Sequence, residues 1–177
     1  FSKFSLIYAG AQKNLGPAGV TVVIIRDDLL ARCTDNLPTM FTYTTHSKER
    51  SLYNTPPVFA VYMVKLVLEW IKKQGGLEAA EKMNFAKKER IYQMIDKYPD
   101  FYQGTVDAES RSWMNITMRL PSEDLEKKFL VEAKAAGFVG LKGHRSVSGI
   151  RVSLYNAMPL EGADKLARFM EEFKKDN

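Results

Sequence analysis

The chain has 177 residues, 45% of them hydrophobic and 27% charged, with a formal net charge of +5. That is enough for one full domain or two small ones of an ordinary globular protein, and no apolar run is long enough to cross a bilayer. The single cysteine, Cys33, excludes an internal disulfide and favours a reducing compartment. With only His46 and His144 beside it, ligands for a structural zinc are too few, so no metal site is expected. The positive charge is spread along the chain and by itself selects neither nucleic acid nor a small anion.

Residues 4–8 and 20–25 are rich in β-branched and aromatic side chains and predict two strands. Between them, residues 9–19 hold three glycines, a proline and one lysine, so the chain bends sharply with Lys13 on the bend. Residues 26–31 read as a strand end passing into a short helix, and residues 33–57 as an irregular polar connection. The run from 58 to 71 is apolar on nearly every side, broken only by Lys65 and Glu69, and predicts a buried helix with Pro56-Pro57 at its entrance. Lys72-Lys73 and Gly75-Gly76 mark its end.

A second, amphipathic helix is expected over residues 77–96. Its apolar side holds Ala80, Met83, Phe85, Ile91 and Ile95, and Lys82, Lys87, Lys88 and Arg90 read as a solvated opposite face. Residues 101–106 and 114–120 suit strands, and Ser122 caps a helix with acids in its first turn that ends near Gly137. Strands over 138–141 and 150–155 and a helix over 161–174 follow. The first part thus reads as βαβ-type material with long helices, and the part from about residue 98 as a small α+β unit.

Chemistry is expected at three places. Lys13 has no acidic neighbour, and small residues flank it; an amine shielded from water attacks carbonyls and suits a Schiff base. Residues 51–57 put polar groups at a helix entrance, where unpaired amides attract anions, although Asn54 or Thr55 would serve equally as a cap. Arg151, inside an apolar strand, must meet an anion, either a ligand or an internal acid, and His144-Arg145 lie close by in sequence. The P-loop and the Gly-x-Ser-x-Gly hydrolase motif are both lacking.

Gly10-Ala11-Gln12-Lys13-Asn14, Ser51-Leu52-Tyr53-Asn54-Thr55-Pro56-Pro57, Gly143-His144-Arg145-Ser146-Val147, Gly149-Ile150-Arg151 and Ser153-Leu154-Tyr155-Asn156-Ala157 together resemble the phosphoserine aminotransferases, a class-V pyridoxal-phosphate family. The similarity runs along the whole chain but covers only the C-terminal half of such an enzyme. That agrees with a chain that begins at Phe1 rather than at a methionine and reads as a piece of something longer. The resemblance implies a fold-type I aminotransferase. Residues 1–75 would then end the large cofactor-binding domain, and residues 76–177 would form a connecting helix and the small C-terminal domain.

By the same resemblance, Lys13 forms a Schiff base with pyridoxal 5'-phosphate, and Gln12 contacts the cofactor phosphate. Asn54 and Thr55 reach the phosphate of the partner subunit in a homodimer. His144 and Arg145 grip the substrate phosphate, and Arg151 binds the α-carboxylate. The implied reaction exchanges an amino group between glutamate and 3-phosphohydroxypyruvate in cytoplasmic serine biosynthesis, with no nucleic-acid or membrane partner. The groups that stack on the cofactor ring belong to the missing N-terminal half, so this chain alone is expected to be inactive. Another pyridoxal-phosphate transaminase or lyase, or a non-catalytic basic binding module, are the alternatives. One departure stands out: Ser148 occupies a position where the family usually has glycine, and a positive φ there would strain the loop by about 1 kcal/mol or more.

Overall fold

The computed structural model describes residues 2–34 and 36–177. The chain divides into two compact units, Phe1–Lys73 and Gln74–Asn177. In the first unit, β1 (Leu6–Gly10) and β2 (Thr21–Ile25) pair antiparallel, with Leu6 opposite Ile25 and Gly10 opposite Thr21. This corrects the βαβ expectation. Residues 11–20 connect the two strands, which is too short for the crossover that parallel strands need.

A short helix α1 (Asp27–Leu30) follows β2 directly. The stretch expected to be irregular holds a 3-10 turn, Thr39–Phe41, and the helix α2 (Tyr43–Lys48). Thr, Ser and His fill α2, and its length is under two turns, so no apolar period announces it. The chain leaves α2 through Arg50 and Ser51, both left-handed at φ 48 and 62.

Helix α3 (Val58–Lys73) forms where expected, but it is not buried. Only Ala60 and Val64 are covered, whereas Phe59 is 72% and Tyr62 53% exposed. A helix that is apolar on every side needs partners on every side, and its own unit supplies them along one line. No helix among the described residues is long and apolar enough to cross a membrane.

The second unit opens with α4 (Gly76–Lys97). A three-stranded antiparallel sheet follows in the order β3-β4-β5, made of β3 (Gln103–Gly104), β4 (Asn115–Arg119) and β5 (Ile150–Ser153). Between β4 and β5 lies α5 (Glu123–Ala135), whose Ser122 hydroxyl accepts from the Leu125 amide at 3.2 Å as the sequence predicts. Helix α6 (Leu160–Lys175) closes the unit. The run 138–141 does not become a named strand; only an isolated bridge, Lys142 to Ile150, joins that stretch to β5.

Alternation along the strands sorts the two sheet faces. Ile116, Met118, Ile150 and Val152 turn inward against Ile91 and Ile95 of α4, Phe129 of α5 and Leu166, Met170 and Phe173 of α6. Each such side chain, fully buried, contributes about 1.5–3 kcal/mol. The other face carries Asn115, Thr117, Arg151 and Ser153, with Thr117 opposite Arg151.

The buried line of α4 differs from the expected one. Met83 and Phe85 are 46% and 47% exposed, while Asn84, Lys87, Ile91, Tyr92 and Ile95 are buried. Lys87, expected on the solvated face, therefore stands in the interior. The sequence gives no apolar residue at that position to mark the turn of the helix.

Candidate functional site

In the first unit the bend between β1 and β2 is tied at its base. The Ala11 amide donates to the Val20 carbonyl at 2.9 Å and the Leu15 amide to the Ala11 carbonyl at 3.1 Å. Ala11 is fully buried, and Gln12 bridges to Gly16. Lys13, two positions on, is exposed and takes a left-handed φ of 78. A long-chain residue adopts that conformation at a cost of about 1–3 kcal/mol, which the surrounding structure must impose. The tie at Ala11 and the packing of Gly16 on α3 do so here. The expectation of a shielded amine is not met within this unit.

Asn54 and Thr55 are exposed and lie ahead of α3. The Asn54 amide donates to the Thr55 carbonyl at 3.2 Å, and the carbonyl of Pro57 accepts from the Val61 amide at 3.0 Å. Pro57 thus stands at the helix start. The capping alternative for Asn54 and Thr55 loses its ground, and their side chains are presented outward.

In the second unit the loop 142–149 joins directly to β5. The Arg151 amide donates to the Leu141 carbonyl and the Gly143 amide to the Gly149 carbonyl, both at 2.8 Å. A side chain on Gly143 would collide with the Ser148 carbonyl oxygen, so only glycine lets the two limbs approach. Inside the loop, the amides of Val147 and Ser148 donate to the His144 carbonyl, and His144 Nδ1 lies 2.6 Å from the Ser146 hydroxyl. Ser148 does take a left-handed φ, 57, and Gly149 follows at 75.

Arg119, at the end of β4, braces this loop. Its Nη1 donates to the Val147 carbonyl at 3.3 Å, and its Nε donates to Glu126, a buried carboxylate in the first turn of α5. His144 and Arg145 are exposed on the loop. Arg151 sits in the strand the loop runs into, and its Nε is buried with no hydrogen-bond partner. Among the described residues no acid forms an ion pair with Arg151, so of the two anions left open by the sequence the internal one is not present there. The second unit therefore gathers His144, Arg145 and Arg151 on one loop and its strand. The first unit gathers Gln12 with Lys13, and Asn54 with Thr55.

The model of the family described as aminotransferase class-V matches residues 2–166. The chain belongs to the class-V aminotransferases. It is 59% identical over 174 residues to a protein of Geobacillus kaustophilus named phosphoserine aminotransferase, covering 98% of this chain and 48% of that one. A solved phosphoserine aminotransferase from Bacillus circulans subsp. alkalophilus is 56% identical, with a TM-score of 0.95 over 99% of this chain and 48% of the other. A pyridoxal-phosphate-bound phosphoserine aminotransferase from Trichomonas vaginalis is 38% identical, with a TM-score of 0.89 over 96% of this chain and 48% of the other.

The resemblance seen in the motifs is thus borne out over nearly the whole chain, and the architecture is that of part of a fold-type I aminotransferase. The chain spans about half the length of the curated relatives it matches.

Proposed function

We propose that this chain supplies half of a pyridoxal-phosphate-dependent phosphoserine aminotransferase, which exchanges an amino group between glutamate and 3-phosphohydroxypyruvate. The observation that carries the reading is the buried, unpartnered Nε of Arg151 in a strand that continues from the His144-Arg145 loop. A guanidinium held in that way is prepared for a carboxylate, since an oxygen acceptor supplies what burial has removed. A substrate with a carboxylate at one end and a phosphate or second carboxylate at the other needs a second cation, and Arg145 supplies it with His144 alongside.

The residues of the first unit fit the cofactor by their chemistry. Lys13 offers a primary amine to an aldehyde from a backbone strained at φ 78, while Gln12, Asn54 and Thr55 offer amide and hydroxyl donors to a phosphate. Pyridoxal phosphate, when bound, supplies a ring that stores the electron pair freed at the substrate α-carbon. Lys13 would hold the cofactor by its aldehyde, and its amine would move a proton at the substrate α-carbon. Asn54 and Thr55 serve the cofactor phosphate of a second copy in a homodimer. The remaining half of the protein covers the apolar outer side of α3 and the Lys13 bend, and the chain without it is inactive. The setting we assign is cytoplasmic serine biosynthesis.

The test uses the full-length protein. Lys13→Ala is expected to abolish the visible absorbance of lysine-bound cofactor, and a normal spectrum in that variant would end the assignment. Arg145→Ala is expected to raise KM for 3-phosphohydroxypyruvate more than KM for glutamate, because a dianion loses more than a monoanion. Equal losses would count against a phosphate grip.

A further inference from the structure

Lys87 is fully buried, and its Nζ donates to two backbone carbonyls, Tyr155 at 2.8 Å and Leu154 at 3.3 Å. Among the described residues no acidic side chain pairs with it. An ammonium without a counter-charge in an interior is unfavourable, and burial holds the Lys87 pKa below the usual lysine range. A methionine would fill the same space without that penalty. The charge therefore has to be explained by what it holds.

Both carbonyls lie just past the end of β5, where the chain leaves the sheet. The same stretch is tied by four further hydrogen bonds. Asn84, one turn earlier on α4, donates to the Asn156 side chain at 2.8 Å. The Asn115 side-chain oxygen of β4 accepts from Ser153 Oγ at 3.1 Å and from the Tyr155 hydroxyl at 3.2 Å. The Leu154 amide donates to the Met114 carbonyl at 2.8 Å. β5 thus runs from an exposed loop at one end to a firmly held end at the other, with Arg151 between them.

We propose that Lys87 is a positioning residue: by clamping the carbonyls of Leu154 and Tyr155 it fixes β5 along its length and sets the Arg151 guanidinium at the distance a substrate carboxylate requires. The proposal rests on the reading of Arg151 as the carboxylate-binding residue. Two successive carbonyls accept from one ammonium, and an apolar side chain of equal size cannot replace that grip. A slip of the strand end by a fraction of a residue would move the guanidinium off its ligand, and small misplacements of a binding group are amplified in affinity.

The test is made in the full-length protein loaded with pyridoxal phosphate. Lys87→Met is expected to weaken binding of glutarate, an unreactive dicarboxylate of glutamate's length, by about tenfold. It is expected to raise KM for glutamate to match, with kcat little changed, and to speed amide exchange at Leu154. Arg151→Gln alone is expected to weaken glutarate binding, and adding Lys87→Met to it to weaken binding no further, since both act through one group.

Wild-type glutarate affinity in Lys87→Met, with only a lower melting temperature, would overturn the proposal and leave Lys87 a purely structural residue. So would an effect that persists undiminished in the Arg151→Gln background. Unchanged glutarate binding in Arg151→Gln itself would instead sink the carboxylate reading on which the proposal stands. Lys87→Gln, which keeps one donor, is measured in the same way; if neither variant folds, Lys87 serves the fold and the proposal falls.

Discussion

Gly16 lies against Val64: a Cβ built on the glycine would stand 3.1 Å from the Val64 Cγ2 methyl, and its φ is 152. The bend that carries Lys13 is in this way set on helix α3. Gly16→Ala must both push the methyl aside and hold an unfavourable backbone, at a combined cost on the order of 1–3 kcal/mol. In the full-length protein the variant is expected to melt earlier and to show weaker lysine-bound cofactor absorbance. An unaltered spectrum would mean that the bend keeps its shape without this contact.

Tyr102 is fully buried, and its hydroxyl donates to the Met170 carbonyl at 2.7 Å. Burial raises its pKa far above the ordinary tyrosine range, with the nearby Tyr98 adding to the effect. An unfolded tyrosine ionises near pH 10, so above that pH the unfolded chain releases a proton that the folded one keeps. The contribution of Tyr102 is therefore complete below pH 10 and falls as pH rises beyond it. Tyr102→Phe is expected to lower stability by about 1–3 kcal/mol at pH 8, because the Met170 carbonyl loses its donor. It should also flatten the alkaline slope, and urea unfolding at pH 8 and pH 11 measures both.

The Asp96 carboxylate accepts two hydrogen bonds from Arg111, whose guanidinium lies over the Tyr92 ring at 4.5 Å. These bonds, more than the charge alone, hold Asp96 below the usual carboxylate range. A group with a depressed folded pKa stabilises above its unfolded value near pH 4 and loses that contribution as pH falls through the folded value. The Asp96 side chain is 56% exposed, so screening keeps the contribution to about 1 kcal/mol or less. Asp96→Asn is expected to reduce the acid sensitivity of the melting temperature below pH 4; an unchanged acid limb would assign that sensitivity to other carboxylates.

Ser148 holds φ 57 in the loop that presents His144 and Arg145. Glycine adopts that conformation freely, so Ser148→Gly is expected to stabilise the protein by up to about 1 kcal/mol. The Ser148 amide bond to the His144 carbonyl, 2.8 Å, survives the change. Differential scanning calorimetry of the two proteins decides it, and a lower melting temperature for the glycine variant would show that the serine side chain contributes more than its backbone strain removes.

Periodicity and punctuation made much of this architecture legible. Ser122 before three early acids marked α5, Gly75-Gly76 marked the gap between the two long helices, and the alternation around Ile116 and Val152 marked the paired strands. The antiparallel course of β1 and β2 was less accessible, because glycine-rich bends and crossovers share the same residues. The exposure of α3 was hidden for a related reason: an apolar pattern reports what a helix needs, not what its own chain provides. At the candidate site, the motifs around Lys13, Asn54, His144 and Arg151 were visible as residue types. Lys87 escaped because it occupies a polar code on a buried line, and only the carbonyls it meets reveal why.

Among the described residues, the apolar core of the second unit draws every member from between Ile91 and Phe173. An interior assembled wholly from neighbouring sequence does not wait on distant segments. A gene fragment encoding residues 74–177 is thus suited to separate expression, giving a sample small enough for resonance assignment in solution. In it the environments of Arg151 and Lys87 can be followed atom by atom while anions are titrated in.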